Sequence, residues 1–249
     1  MRIHECMQGS GEWLRVRAGK VTASSVAAAV SLLKRGERRG AETAARAALK
    51  GQIVAELLQA HTVRDHYVSE FMEHGIATEP RARAAYEMER NLLTDTVGFV
   101  YHPTIARAGC SPDGLVGEEG LIEIKCPKTE THIAYTFARQ LPPEYEPQVM
   151  WQLACTGREW CDFVSFDDRL PLRHQMFVHR VFRDEARIAE LNAGVEQFLA
   201  EVDEMIAGLE ELNPEKEPAK RFVQDVHDRG ADDMGITDDD IAWIMAKPH

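Results

Sequence analysis

The chain has 249 residues, 44% of them hydrophobic, enough to build one large domain with a proper core. Its formal net charge of −12 excludes a uniformly basic nucleic-acid-binding surface, and no run approaches the roughly 18 apolar residues that a membrane span needs. Five cysteines, Cys6, Cys110, Cys126, Cys155 and Cys161, form an odd set without a C-x-x-C pair, which argues against a disulfide framework or a zinc site.

The charge is unevenly spread. From Glu201 onward there are 14 acidic and 5 basic residues, a net −9, which leaves −3 for everything before it. The opening M-R-I-H-E-C-M-Q-G-S-G-E-W lacks the apolar core of a signal peptide, so a soluble cytoplasmic protein is expected.

Residues 13 to 24 read W-L-R-V-R-A-G-K-V-T-A-S and precede a small apolar run, V-A-A-A-V-S-L-L. Thr22 or Ser24 is a candidate N-cap for a helix ending near Gly36. A second helix is predicted from about Ala41 to Gln59, and the basic Lys34-Arg35 and Arg38-Arg39 between the two are read as a solvated loop that can also touch phosphate. Thr78-Glu79-Pro80 signals a third helix with Pro80 in its first turn and Glu79 at its N-terminus. Short strands are predicted at Val97 to Tyr101 and Ile105 to Cys110, followed by a hairpin around Gly-Glu-Glu-Gly. Then come a helix from Tyr145 to Thr156 ended by Gly157, and strands at Cys161 to Asp167 and His174 to Phe182. A long amphipathic helix runs from Asp184 to Leu212, with Ile188, Leu191, Val195, Phe198, Val202 and Ile206 on one stripe. Asn213-Pro214 breaks it. The expected organisation is an α/β domain over residues 1–212, a mixed sheet flanked by helices, with an acidic extension over 213–249 that docks in places.

The hairpin carries the chemistry. Asp113 lies ten residues before Glu123, and Glu123 and Lys125 bracket Ile124. In a strand the side-chain period is two, so Glu123 and Lys125 share a face and the turn returns them beside Asp113. Acids on adjacent strands make a hard-oxygen site for Mg²⁺, with Mn²⁺ as an alternative, and Glu79 is the best third carboxylate. The Ile124 carbonyl can complete the sphere, and Lys125 can orient an attacking water. Taken alone, Glu-x-Lys is most often a strand ion pair worth roughly 0 to 1 kcal/mol. Asp113 across the turn and Glu79 upstream change that balance.

These residues resemble the PD-(D/E)xK nuclease superfamily, and within it the phage lambda exonuclease family of viral recombination nucleases. The resemblance spans about Trp13 to Arg169; its most specific parts are C-S-P-D-G-L and E-I-K-C-P, joined by W-x-x-x-R-x-G-x-x-T-A-S and the Q-V-x-x-x segment at Gln148. It implies a restriction-endonuclease-like core and two-metal hydrolysis of the 5′ strand of duplex DNA, releasing mononucleotides and leaving a 3′ strand for an annealing partner. It implies metal ligands at Asp113, Glu123 and the Ile124 carbonyl, a catalytic Lys125, a helical acid at Glu79, and Gln148 facing the site, with Tyr145 one turn earlier. It further implies a pocket for the terminal 5′-phosphate made by Arg17, Ser24 and Ser111, a homotrimeric ring around DNA, and a phage or prophage gene product acting in the bacterial host. Ser24 read alone is an N-cap and Ser111 a turn residue before Pro112.

Three alternatives stand beside this reading. A superfamily endonuclease would cut closed circles. A repair nuclease with an iron-sulfur cluster would need cysteines near the C-terminus, and none lies beyond Cys161, so no cluster is expected. A non-catalytic DNA-end-binding module would keep the fold without the chemistry, against which the intact acids and lysine weigh.

Overall fold

The computed structural model describes residues 1–33, 39–59 and 70–212, with the backbone alone for 70–73. Lys34, Arg35 and Arg38, the expected helix end at Gly36, and the extension 213–249 lie outside the described residues. The chain divides into two units, Met1–Val202 and Asp203–His249. The first contains two four-stranded sheets, so the mixed-sheet expectation is met in two parts.

The first sheet runs in the order β1 (Arg2–His4), β3 (Phe99–Tyr101), β4 (Ala108–Cys110), β2 (Val21–Thr22). Only the β2–β4 pair is parallel, with Val21 opposite Ala108 and Thr22 opposite Gly109. This pairing joins the N-terminal motif to the strand that leads into the acidic hairpin. Gly109 is required there: a Cβ would lie 2.3 Å from the Phe99 ring and 2.5 Å from the Val100 carbonyl.

The second sheet runs β5 (Gly114–Val116), β6 (Gly120–Lys125), β7 (Trp160–Phe166), β8 (Met176–Phe182). Strands β5 and β6 form the expected antiparallel hairpin, β6 and β7 are parallel, and β7 and β8 are antiparallel. Alternation divides β6 between two layers. Ile122 and Ile124 pack with Ala82 and Tyr86 of α4 (Glu70–Arg90), while Glu123 is bonded by residues of α6 (Glu146–Thr156).

Helix α1 (Gly11–Arg17) is capped by Ser10, whose hydroxyl accepts from the Trp13 amide at 3.1 Å. The next helix, α2 (Val26–Ala29), stops well short of its expected length. Its continuation is lost because Leu33 donates to the Ala41 carbonyl and accepts from Gly40, turning the chain across itself. Helix α3 (Ala44–Gln59) matches its prediction closely. In α4 the expected start is corrected: Pro80 and Glu79 sit inside a 21-residue helix. An exposed proline loses one helical bond there, and burial of Ala82 and Tyr86 against the second sheet carries the helix through it.

Helix α5 (Thr129–Ala138) and strand β1 have no counterpart among the elements expected from sequence. Helix α6 ends at Gly157 in the left-handed conformation, φ 71°. Helix α7 (Glu185–Leu212) buries Ile188, Leu191, Val195, Phe198 and Val202 as its stripe predicts. Arg46 and Lys50 of α3 both reach Glu201 at 2.8 Å, tying the two helices together. No helix among the described residues is long and apolar enough to cross a membrane.

Candidate active site

Asp113 sits immediately before β5, and the Gly114–Ile122 pairing sets it beside Glu123 of β6. Its Oδ2 accepts the Ile124 amide at 2.6 Å, so the acid is fixed across the hairpin it opens. Glu123 is only 2% exposed. Its Oε1 accepts from the Lys125 ammonium and from Gln148 Nε2 at 2.5 Å, and its Oε2 accepts from Gln152 Nε2 at 2.5 Å. Gln148 and Gln152 are one helical turn apart on α6, which gives both the same direction. Lys125 lies 5.2 Å from the centre of the Tyr145 ring.

Glu79 comes from α4, in the layer that packs on Ile122 and Ile124. Its Oε1 accepts from Arg83 at 2.9 Å, and the same guanidinium donates to the Asp113 carbonyl. Arg83 thus bridges the helical acid to the hairpin.

The charges are strongly coupled. Burial, then the Glu123 carboxylate, raises the Asp113 pKa well above the usual carboxylate range; Glu79 adds to this, and Lys125 and the Ile124 amide oppose it. Burial alone would lower the Lys125 pKa, but Glu123 and Asp113 more than reverse it and hold the side chain as an ammonium. The Cys126 thiol is pushed up to about 12 by burial, then by Glu79, Asp113 and Asp168.

This set fits a hard divalent cation in chemistry and in charge. Three carboxylates face two cationic side chains, Lys125 and Arg83, and a half-buried acid already destabilised by its neighbours gains from added positive charge. The geometry is not closed around one point: among the described residues no three His, Cys, Asp or Glu side chains gather at metal-holding spacing. Glu79 in particular is engaged by Arg83.

A second cluster lies just upstream. Arg17 is 7% exposed, and its Nη1 donates to Ser111 Oγ at 3.3 Å although the residues are 94 apart in sequence. Its Nη2 reaches Thr22 Oγ1 at 3.4 Å and Ser24 Oγ at 3.5 Å. The Trp13 indole carries the guanidinium 4.0 Å over its ring and donates from Nε1 to Ser111 Oγ at 2.9 Å. All three residues expected to share a pocket, Arg17, Ser24 and Ser111, are therefore together, and Ser111 lies two residues from Asp113. Ser24 makes no side-chain cap; α2 is preceded by Ser25. The β2–β4 pairing produces this convergence, and Gly19 (φ +67°) makes the return from α1 possible.

Gln152, Arg83 and Thr22 are parts of the site that sequence reasoning misses. Gln152 has a signal in its spacing from Gln148, and Thr22 in its place within the W-x-x-x-R-x-G-x-x-T-A-S motif; the bond from Arg83 to the Asp113 carbonyl has none, because it lies across a tertiary contact.

Residues 12–159 match the model of the YqaJ-like viral recombinase domain. Among solved structures the chain is similar to an alkaline exonuclease, LHK-Exo, from Laribacter hongkongensis, with 44% identity and a TM-score of 0.73 over 81% of this chain and 97% of that one. The same protein in complex with dAMP matches at 43% identity and a TM-score of 0.74, again over 81% and 97%. A phage-related exonuclease from Haemophilus somnus 129PT shares the fold at 15% identity, TM-score 0.59, over 76% of this chain and 96% of that one. No curated protein matches.

Proposed function

The chain belongs to the family of YqaJ-like viral recombinase domains, and we propose that it digests the 5′ strand of duplex DNA from its ends, as a divalent-metal-dependent exonuclease releasing mononucleotides. The observation that carries this is the joining of Asp113, Glu123 and Lys125 on one hairpin with the Arg17–Ser111 cluster two residues upstream.

Asp113, Glu123 and the Ile124 carbonyl would hold Mg²⁺ or Mn²⁺, with Glu79 joining them on release from Arg83. The cation would supply charge neutralisation at the scissile phosphate and a lowered pKa for water. The protein's own groups do the rest. Lys125, held as an ammonium by Glu123, donates toward the attacking water or a phosphate oxygen. Gln148 and Gln152 fix the Glu123 carboxylate so that its lone pairs point one way.

The Arg17 cluster is the anion end. Ser111 Oγ already accepts two N–H donors, from Trp13 and Arg17, so its own proton must be donated outward. A guanidinium with outward hydroxyl protons suits a terminal phosphate rather than a hydroxyl. Placed beside the metal end, it measures one nucleotide from the strand terminus. An annealing protein that takes the 3′ strand, and a ring of three copies around the duplex, are the partners this reading calls for.

The test is linear duplex labelled separately at each 5′ and 3′ end, incubated with Mg²⁺. The 5′ label is released first and closed circles survive; early release of the 3′ label, or cutting of circles, would refute the reading.

A further inference from the structure

Beyond the pocket, the far end of the acidic hairpin is held by a buried cation. Arg158 follows the α6 cap residue Gly157, is 9% exposed, and points Nη1 at three main-chain carbonyls of the hairpin tip. The distances are 3.3 Å to Val116, 2.7 Å to Gly117 and 2.7 Å to Gly120. These are the carbonyls around the turn, where Gly117 takes φ +52°. Two more main-chain bonds come from the same segment, Glu159 and Trp160 donating to the Glu119 carbonyl at 2.8 and 3.3 Å. Gly120 has no room for a side chain, since a Cβ would lie 2.1 Å from the Trp160 ring.

Burying a guanidinium against carbonyls, with the Asp95 and Glu118 carboxylates acting on it only at longer range, carries a desolvation cost. What it secures is register. The tip is where the chain turns from β5 into β6, and Val116 opposite Gly120 there is in step with Gly114 opposite Ile122 and hence with Asp113 beside Glu123. Because β6 is itself paired with β7 from Gly120 to Lys125, a slip of one residue at the tip would move β5 and turn Asp113 away from Glu123. On its outer edge β5 meets the isolated Asp95–Leu115 bridge, and Arg83 and the Ile124 amide hold Asp113 at its start; the tip contacts restrain its other end.

We infer that Arg158 is a positioning residue for the metal-binding acids, a register clamp that sets the Asp113–Glu123 spacing from the opposite end of the hairpin. The inference rests on the proposed cation site. It gives α6 and its cap a shared role, in which Gln148 and Gln152 orient the Glu123 side chain and Arg158 sets the register of β5, which brings Asp113 beside it.

The test is Mn²⁺ binding measured by calorimetry on the full chain, without DNA. Wild type, Arg158→Met and Arg180→Met are compared, Arg180 being a residue of the same sheet that pairs with Asp162 instead. Arg158→Met weakens Mn²⁺ by roughly 10-fold or more, the range seen when a supporting residue behind metal ligands is lost. Arg180→Met lowers thermal stability without moving the Mn²⁺ dissociation constant. If Arg158→Met does not fold, Arg158→Lys, which keeps the charge but not the fork, replaces it and weakens Mn²⁺ by at least about threefold, a change well above calorimetric error. An unchanged constant in a folded Arg158 variant, or an equal change in Arg180→Met, overturns the clamp. Absence of Mn²⁺ binding by wild type instead removes the cation site itself.

Discussion

Gln152 donates its amide to Glu123 at 2.5 Å from within the protein, one turn beyond Gln148, which grips the other oxygen of the same carboxylate. The acid at the centre of the site is thus oriented by a helix through two neutral donors and by Lys125 through a charged one. Replacing Gln152 with Met keeps its volume and removes its donor. A lost hydrogen bond to a charged group is worth about 1.5 to 3 kcal/mol, so turnover on linear duplex falls by roughly 10-fold or more while KM changes little. Steady-state digestion of labelled duplex checks this, and an unchanged kcat would show that Gln148 and Lys125 suffice.

Asp113→Ala and Lys125→Ala each reduce digestion with Mg²⁺ by at least about 100-fold, the scale of losing one preorganised charge-stabilising group. Both positions lie at the mouth of the hairpin and are partly exposed, so the variants remain folded by circular dichroism. Near-native rates in either would end the catalytic assignment.

The phosphate cluster makes a sharper prediction about ends. Duplex with a 5′-phosphate is degraded faster than duplex with a 5′-hydroxyl, and Arg17→Ala brings the two rates together. Trp13→Phe keeps a ring under Arg17 but removes the indole N–H that forces Ser111 to donate outward. It lowers the phosphate-to-hydroxyl rate ratio by several-fold, about the worth of one hydrogen bond, with little effect on hydroxyl ends. A uniform loss on both kinds of end would point to misfolding of α1 instead.

Asp167 gives a pH dependence of stability. Burial alone would raise its pKa, but Arg169 and Thr129 hydrogen bonds outweigh burial and lower it to about 2. A depressed folded value stabilises the protein above the unfolded pKa of about 4, and the contribution is lost as pH falls from about 4 toward 2. It amounts to roughly 2 kcal/mol. Urea unfolding of wild type and Asp167→Asn therefore shows a gap at about pH 7 that narrows below about pH 4. A gap independent of pH would contradict the assignment.

Much of this protein is readable from its chain. The hairpin of Asp113, Glu123 and Lys125 follows from a turn of glycines and acids and from the period of two, both of which act over a few residues. Gly157 after α6 and the stripe of α7 are equally local. Pro80 misleads for the same reason in reverse: a helix-start signal is local, and the burial of Ala82 and Tyr86 that carries α4 through it is not.

The order of residues along the chain sets which types are present and, within each short element, which way they face. It supplies the acids, the lysine, and the arginine and serines of the anion cluster. The packing of distant elements brings Arg17 to Ser111 across a parallel pairing of β2 with β4, and has Arg83 tie Glu79 to the Asp113 carbonyl. It also has Arg158 hold the hairpin tip. Backbone geometry constrains neighbours a few residues apart, whereas these contacts depend on the packing of elements far apart in sequence.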